Sequence, residues 1–251
     1  MGAMPEEIVG VIGLLKDTEE HTSGKRTYFK GQLDGISTVV VISGWGKVAA
    51  AATISTLILK FNITELIFTG VAGAINPDLK IGDIVLAKRL MQHDMDARPF
   101  IPQYEIPLIG QTFFESSAAS LQTAARAIRT LLDNSHLHST IEQGDLNRFQ
   151  IQSPTLHVGD VASGDKFFSS DADKLDLLQK LPTILCVEME GAAVAQVCFE
   201  NDIPFTIIRT ISDASDDHSV TDFSSFIKNV ASKYSVAIIQ NIFEEMSFTG
   251  H

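Results

Sequence analysis

Short apolar runs rich in β-branched residues alternate along this chain with longer segments whose apolar positions recur at helical spacing. Residues 38–42, 66–68, 83–87, 156–161, 184–187 and 205–211 each read as a strand with few polar interruptions. The alanine-rich segment 48–60 and the long stretch 223–246 carry the period of helices that cover a core, and 121–132 and 191–200 also read as helices. Strand and helix taken in turn predict an α/β fold, a single three-layer α/β/α domain over residues 1–251. Asp34-Gly35 is hairpin-turn chemistry joining 28–33 to the next strand, so part of the sheet is expected to be antiparallel and the sheet mixed. Residues 184–187, the helix 191–200 and 205–211 predict a βαβ unit with a right-handed crossover.

Between Ser116 and Pro154 the helix 121–132 gives way to a polar stretch, about 134–155, that is expected to be a surface excursion with His136 and His138 in solvent. A chain of 251 residues with 45% hydrophobic content buries one large core without disulfides or a structural metal. The formal charge of -12 and a pI near 4.9 argue against a nucleic-acid partner, which requires clustered Lys and Arg. Cys186 and Cys198 fall in apolar segments as free thiols, which fits a reducing cytoplasm. The apolar run 8–15 is broken by Gly10 and Gly13 and falls short of the roughly 20 residues of a membrane span. Glu6 and Glu7 precede it, unlike the basic start of a secretory signal, so no membrane partner is expected.

The chemistry concentrates in two places. Val187-Glu188-Met189-Glu190-Gly191 and Arg209-Thr210-Ile211-Ser212-Asp213 put Glu190 and Asp213 at the ends of two apolar runs, where open sheets bind ligands. Taken singly, Glu190 equally suits a helix start and Asp213 a cap; together with nearby glycines they point to a site. Ser43-Gly44-Trp45-Gly46, Thr69-Gly70-Val71-Ala72-Gly73 and Ser163-Gly164-Asp165 read as glycine turns at strand ends that let the backbone approach a ligand. Gly46-Lys47 lacks the spacing of a phosphate loop, which disfavours nucleoside triphosphate hydrolysis. Glu6 and Glu7 follow Pro5, and by position alone they complement a helix N-terminus. His93-Asp94-Met95-Asp96 has no second cluster to complete a metal site, so neither metal nor cofactor is expected. Trp45, Phe100, Phe167, Phe168 and Phe223 suit either a core or an aromatic-lined small-ligand pocket.

These segments, with Gly2-Ala3-Met4-Pro5-Glu6-Glu7 at the start and Gln92-His93-Asp94-Met95-Asp96 in the middle, resemble the 5'-methylthioadenosine/S-adenosylhomocysteine nucleosidases in order and over nearly the whole chain. The resemblance implies a nucleoside phosphorylase-like fold and irreversible hydrolysis of the N-glycosidic bond between adenine and a 5'-substituted ribose. It matches Asp213 to the general acid at N7 of adenine and Glu7 to the carboxylate that positions and deprotonates the attacking water. Glu190 matches the group that binds the ribose hydroxyls and faces the developing positive charge. Adenine leaves poorly as an anion and an oxocarbenium-like sugar needs a nearby anion, so the three roles are chemically coherent. The acid's role requires Asp213 to carry or share a proton at working pH, through burial or neighbouring negative charge.

By the same matching Arg209 and Ser212 support the water and the acid, Phe168 binds the base through its backbone and Phe167 stacks on it. Met4, Trp45, Met189 and Phe223 line the ribose and 5'-substituent, and Val71, Ala72 and Gly73 border the substrate. Ala97 and Phe100 lie in a loop that family dimers lend to the partner's site, which implies a homodimer.

Three features depart from the family. Its first strand precedes Gly-Ala-Met, where this chain has Met1 alone, leaving open how that sheet position is filled and where Glu7 falls. Val71 replaces a common serine, and the stretch 134–155 is longer than usual. Three rivals remain: a nucleoside phosphorylase, disfavoured because no arginine lies between Lys47 and Lys88 or before Arg26; a 6-amino-6-deoxyfutalosine hydrolase; and a non-catalytic nucleoside-binding protein.

Overall fold

A computed structural model of the protein describes residues 1–133, 139–215 and 219–249. Two sheets carry the chain. β1 (Lys16–Ser23), β2 (Arg26–Leu33) and β3 (Ile36–Val41) form an antiparallel meander. Asp34 and Gly35 both take positive φ, 49° and 81°, and bring Leu33 opposite Ile36, as the hairpin turn required. β1 went unseen in the sequence because its residues, Lys-Asp-Thr-Glu-Glu-His-Thr-Ser, are nearly all polar and mostly exposed.

The second sheet contains β4 (Leu66–Ala74), β5 (Ile84–Gln92), β6 (Phe114–Glu115), β7 (Leu156–Ser163), β8 (Ile184–Glu188) and β9 (Phe205–Asp213), in the order β6-β5-β7-β8-β4-β9. β9 also pairs antiparallel with β5, so five of these strands close into a ring. β5, β7 and β8 are mutually parallel, as are β4 and β9, but β4 and β8 pair antiparallel. This corrects the expected βαβ unit. β8 and β9 are not neighbours, because β4 lies between them and reverses the ladder's sense.

Helices cover both sides of this mixed sheet. Alternate residues of β5 supply alternate faces: Val85 and Ala87 pack with α2 (Lys47–Phe61) and α6 (Gly191–Glu200). Ile84 and Leu86 pack with α3 (Ala118–Asp133) and the C-terminal helices. The expected helix over 223–246 is three pieces, α7 (Ser219–Phe226), a π-helical turn (Ile227–Ala231) and α8 (Ser232–Thr249). Two further helices are α4 (Gln143–Arg148) and α5 (Asp171–Lys180), the latter capped by Ser170 Oγ accepting from Asp173 N.

The stretch 134–155 is anchored more firmly than a surface excursion would be. It contains α4, and Ile141, Leu146, Phe149 and Ile151 are buried against the layer that holds Phe226 and Ile84. His136 and His138 lie outside the described residues. At the other end of the chain, Met1 and Gly2 lie between the two sheets. Gly2 N donates to Val41 O, while Met1 O accepts from Thr69 N. They lead into α1 (Pro5–Ile12), which carries Glu7. Among the described residues no helix is long and apolar enough to cross a membrane.

Candidate active site

The C-terminal ends of β4, β8 and β9 meet at one backbone position. Gly73 pairs with Val187 on one side and Asp213 on the other, so a single residue separates the two acidic segments. A Cβ on Gly73 would lie 2.0 Å from Ser215 Oγ and 2.9 Å from Asp213 Oδ1. One on Gly70 would lie 3.1 Å from Glu7 Oε1. These two glycines are therefore not a turn, as the sequence suggested; they sit inside β4, and what matters is the space they leave. Gly164 likewise leaves room for the His93 ring. Gly44 and Gly46 alone among the glycines of these three segments use left-handed backbone, with φ of 79° and 89°.

A cavity with about 620 Å³ of empty space, its mouth included, opens where these strands end. That is within the ordinary range for a small-molecule site. Its lining contains Glu7, Glu190 and Asp213, together with Met4, Trp45, Val71, Ala72, Gly73, Phe167, Phe168, Met189, Arg209, Ser212 and Phe223. Ala97 and Phe100 do not line it, and Phe100 is 91% exposed on the surface.

Glu7 serves the helix and the cavity at once. Its Oε2 accepts from Ala3 N at 2.6 Å and Met4 N at 2.9 Å, satisfying donors at the start of α1, while Oε1 reaches Gly70. Burial raises its pKa, outweighing the backbone donors and the Arg209 charge that oppose the rise. A carboxylate of raised basicity in an apolar cavity has the properties of a general base.

Glu190 occupies the N-cap position of α6, yet its side chain does not cap the helix. Glu188 and Ser163 take over that work. Glu188 Oε2 accepts from Gly191 N at 2.7 Å and Glu190 N at 3.2 Å, Ser163 Oγ accepts from Ala192 N at 2.6 Å, and Ser163 Oγ donates to Glu188 Oε1. The helix N-terminus is thus satisfied from β7 and β8, which leaves the Glu190 carboxylate free to face the cavity. The sequence reading assigned Glu188 no role; the second acid of Val-Glu-Met-Glu is the one signal that could have drawn attention to it.

Glu188 also neutralises Arg209. Arg209 Nη2 and Nε donate to Glu188 Oε2 at 2.6 and 3.2 Å, Nη1 donates to the carbonyls of Phe68 and Ile208, and the guanidinium lies 4.2 Å from the Phe68 ring centroid. Arg209 thus borders the cavity with its guanidinium tied to Glu188 and to main-chain carbonyls.

Glu190 Oε1 accepts from Gly46 N at 2.7 Å, and a ring of hydrogen bonds fixes that N–H. The glycine at the N-cap of α2 has no side chain to offer, so Asp165 supplies one from the end of β7, its Oδ1 accepting from Lys47 N at 2.8 Å. Asp94 Oδ2 accepts from Asp165 N at 3.0 Å and its Oδ1 pairs with Lys47 Nζ at 2.5 Å, closing the ring. Burial of Asp94 is outweighed by Lys47 and the Asp165 N–H, which hold its carboxyl below the usual range. Of the His93-Asp94-Met95-Asp96 segment, then, Asp94 is a structural clamp. Among the described residues no His, Cys, Asp and Glu gather to hold a metal ion.

Asp213 is fixed by two donors, Ser212 Oγ at 2.6 Å to Oδ2 and Ser215 N at 2.8 Å to Oδ1. Phe167 meets Phe223 edge to face at 5.4 Å, and the His93 ring abuts Phe168 in the same way at 5.3 Å. Trp45, between the two left-handed glycines, lies at the mouth and is largely exposed. The arrangement sets carboxyls around an apolar, aromatic cavity, suited to protonating one group of a bound ligand while activating water against it.

The electrostatics give a stability test. Burial first and the Glu188 charge second push the Glu190 pKa from 4.5 up to about 8. The folded protein thus binds this proton more tightly than the unfolded chain, so the stability it contributes is complete below pH 4.5 and is lost as pH rises to about 8. Glu190→Gln removes that dependence. Its melting temperature is expected to match the wild type near pH 5 and exceed it at pH 8, by the equivalent of a few kcal/mol at most. Melting curves that differ by the same amount at both pH values would contradict this account.

Comparison with known proteins supplies the last observations. Residues 1–244 match the family described as the phosphorylase superfamily. The chain is similar to the 5'-methylthioadenosine/S-adenosylhomocysteine nucleosidase of Shewanella denitrificans, 33% identical over 229 residues and 90% of each chain. Among solved structures, it resembles the nucleosidase of the same name from Colwellia psychrerythraea in complex with adenine, with TM-score 0.84 and 29% identity over 97% of this chain and 93% of that one. It also resembles the futalosine hydrolase of Helicobacter pylori, with TM-score 0.81 and 32% identity over 97% and 95%.

Proposed function

The chain belongs to the 5'-methylthioadenosine/S-adenosylhomocysteine nucleosidase family of the phosphorylase superfamily, and on that premise we propose how its cavity works. The protein is a hydrolase that cleaves the N-glycosidic bond of 5'-methylthioadenosine, S-adenosylhomocysteine and related 5'-substituted adenosines, releasing adenine. The observation that carries the mechanism is the common cavity bordered by Glu7, Glu190 and Asp213.

Asp213 donates a proton to N7 as the bond from C1' to N9 breaks, so adenine departs neutral. Glu7 takes a proton from the water that attacks C1' from the far side of the sugar. Glu190, directed by Gly46 N–H, binds the ribose hydroxyls and steadies the positive charge that builds on the ring. Phe167 stacks on the base, Phe168 binds its edge through the backbone, and Met4, Trp45, Met189 and Phe223 hold the ribose and 5'-substituent. Val71 offers no hydroxyl to the water, so its positioning falls to Glu7.

The same proposal takes the active form to be a homodimer in which Ala97 and Phe100 complete the partner's cavity. The support is that Phe100 is exposed and lies outside its own chain's cavity. The buried free thiols Cys186 and Cys198 suit a reducing cytoplasm, where the reaction would serve methionine salvage; the acidic charge fits no nucleic-acid partner. The resemblance to a futalosine hydrolase favours 6-amino-6-deoxyfutalosine as a second substrate to be assayed.

Incubation with 5'-methylthioadenosine, with and without phosphate, while free adenine is measured tests the assignment. Equal release under both conditions is expected. A requirement for phosphate would make the protein a phosphorylase, and no release under either condition would leave only a binding protein.

A further inference from the structure

One polar group in the cavity has no task in the mechanism. Ser215 is fully buried and borders the cavity, and its Oγ has no hydrogen-bond partner among the described residues. Its backbone is left-handed, with φ of 54°, which a residue with a side chain adopts at a cost. An unfilled buried hydroxyl on a strained backbone is unfavourable in the free protein and calls for a partner that arrives later.

Its position says which partner. The Ser215 N–H donates to Asp213 Oδ1 at 2.8 Å, and the hydroxyl lies over the same Gly73 Cα as that oxygen. Under the function proposed above, on which this step rests, Asp213 addresses N7 of the base. In any purine the substituent next to N7 along that edge is the one on C6, and in adenine it is an amino group. A hydroxyl offers two lone pairs, so a buried one without a partner can accept an amino N–H. We propose that Ser215 is a base-recognition residue whose hydroxyl accepts the 6-amino hydrogen nearest N7, so that the acid and the hydroxyl beside it read adjacent atoms of adenine.

The test crosses two substrates with three proteins. Wild type, Ser215→Ala and Ser215→Gly are compared on 5'-methylthioadenosine and on its analogue lacking the 6-amino group. Both variants are expected to lose about 10-fold in kcat/KM on methylthioadenosine and little on the analogue. The glycine variant relieves the left-handed backbone and is expected to melt no lower than wild type, which separates recognition from folding. Equal losses on both substrates, or none on either, would overturn the proposal. Calorimetry of free adenine against free purine reads the same contact without hydrolysis: Ser215→Ala is expected to weaken adenine alone, and unchanged adenine binding would count against Ser215. Absence of hydrolysis by wild type would instead strike the nucleosidase reading while leaving that binding measurement decisive for the contact.

Discussion

Asp213→Asn and Glu7→Gln are each expected to lower the rate of adenine release by roughly 10²–10⁴-fold while nucleoside binding persists. Both replacements nearly preserve shape. In Asp213→Asn the amide oxygen still accepts from Ser215 N, and the amide nitrogen donates to Ser212 Oγ, which turns to accept. What is lost is the proton that N7 requires. In Glu7→Gln the amide oxygen still accepts from Ala3 and Met4 N, so α1 keeps its start, but the amide does not take a proton from water. Single-turnover release of adenine, with binding measured separately by calorimetry, distinguishes lost chemistry from lost affinity. Near-normal turnover in either variant would remove that residue from the mechanism.

Glu188→Gln is expected to be the most destabilising conservative change in the site. Arg209 is 1% exposed and has Glu188 as its ion-pair partner, so the substitution leaves a buried guanidinium without its counter-ion. Breaking a buried pair from one side costs about 3–5 kcal/mol, far more than the pair contributes over an apolar substitute. It also weakens the cap of α6, because an amide offers one acceptor where the carboxylate offered two to Ser163, Gly191, Glu190 and Arg209. Adding Arg209→Met to Glu188→Gln removes the orphaned charge and is expected to restore part of the loss. Denaturant midpoints for the two variants decide the matter: a double variant no more stable than the single one would show that charge pairing is not the reason.

Where sequence reading stopped short, the cause is physical. The strands were expected to stop where their apolar runs stop, at 87, 161, 187 and 211, but they continue to Gln92, Ser163, Glu188 and Asp213. β5 runs on through the exposed Lys88, but the polar residues that close the other three strands, Ser163, Glu188, Ser212 and Asp213, are buried, as walls and supports of the cavity. Thus Glu190 and Asp213 were legible as acids at strand exits, Trp45 and the Phe167–Phe168 pair as either core or lining by residue type, and Met4 only through the family resemblance. Glu188, Ser163 and Ser215 were not legible, since their roles come from which strand neighbours which. That order was itself hidden: β4 separates β8 from β9, and no local pattern records that. β1 and α4 were missed for another reason, their polar sequences giving little apolar period to detect.

The pairing of Gly73 with both Val187 and Asp213 has a consequence for how such an enzyme changes over time. The distance between the strand segments that lead to Glu190 and Asp213 is set by main-chain ladder bonds through Gly73. Trp45 lies outside that ladder, in the loop between β3 and α2, so under the roles proposed above substitutions there would change what the mouth admits and leave the ladder spacing as it is.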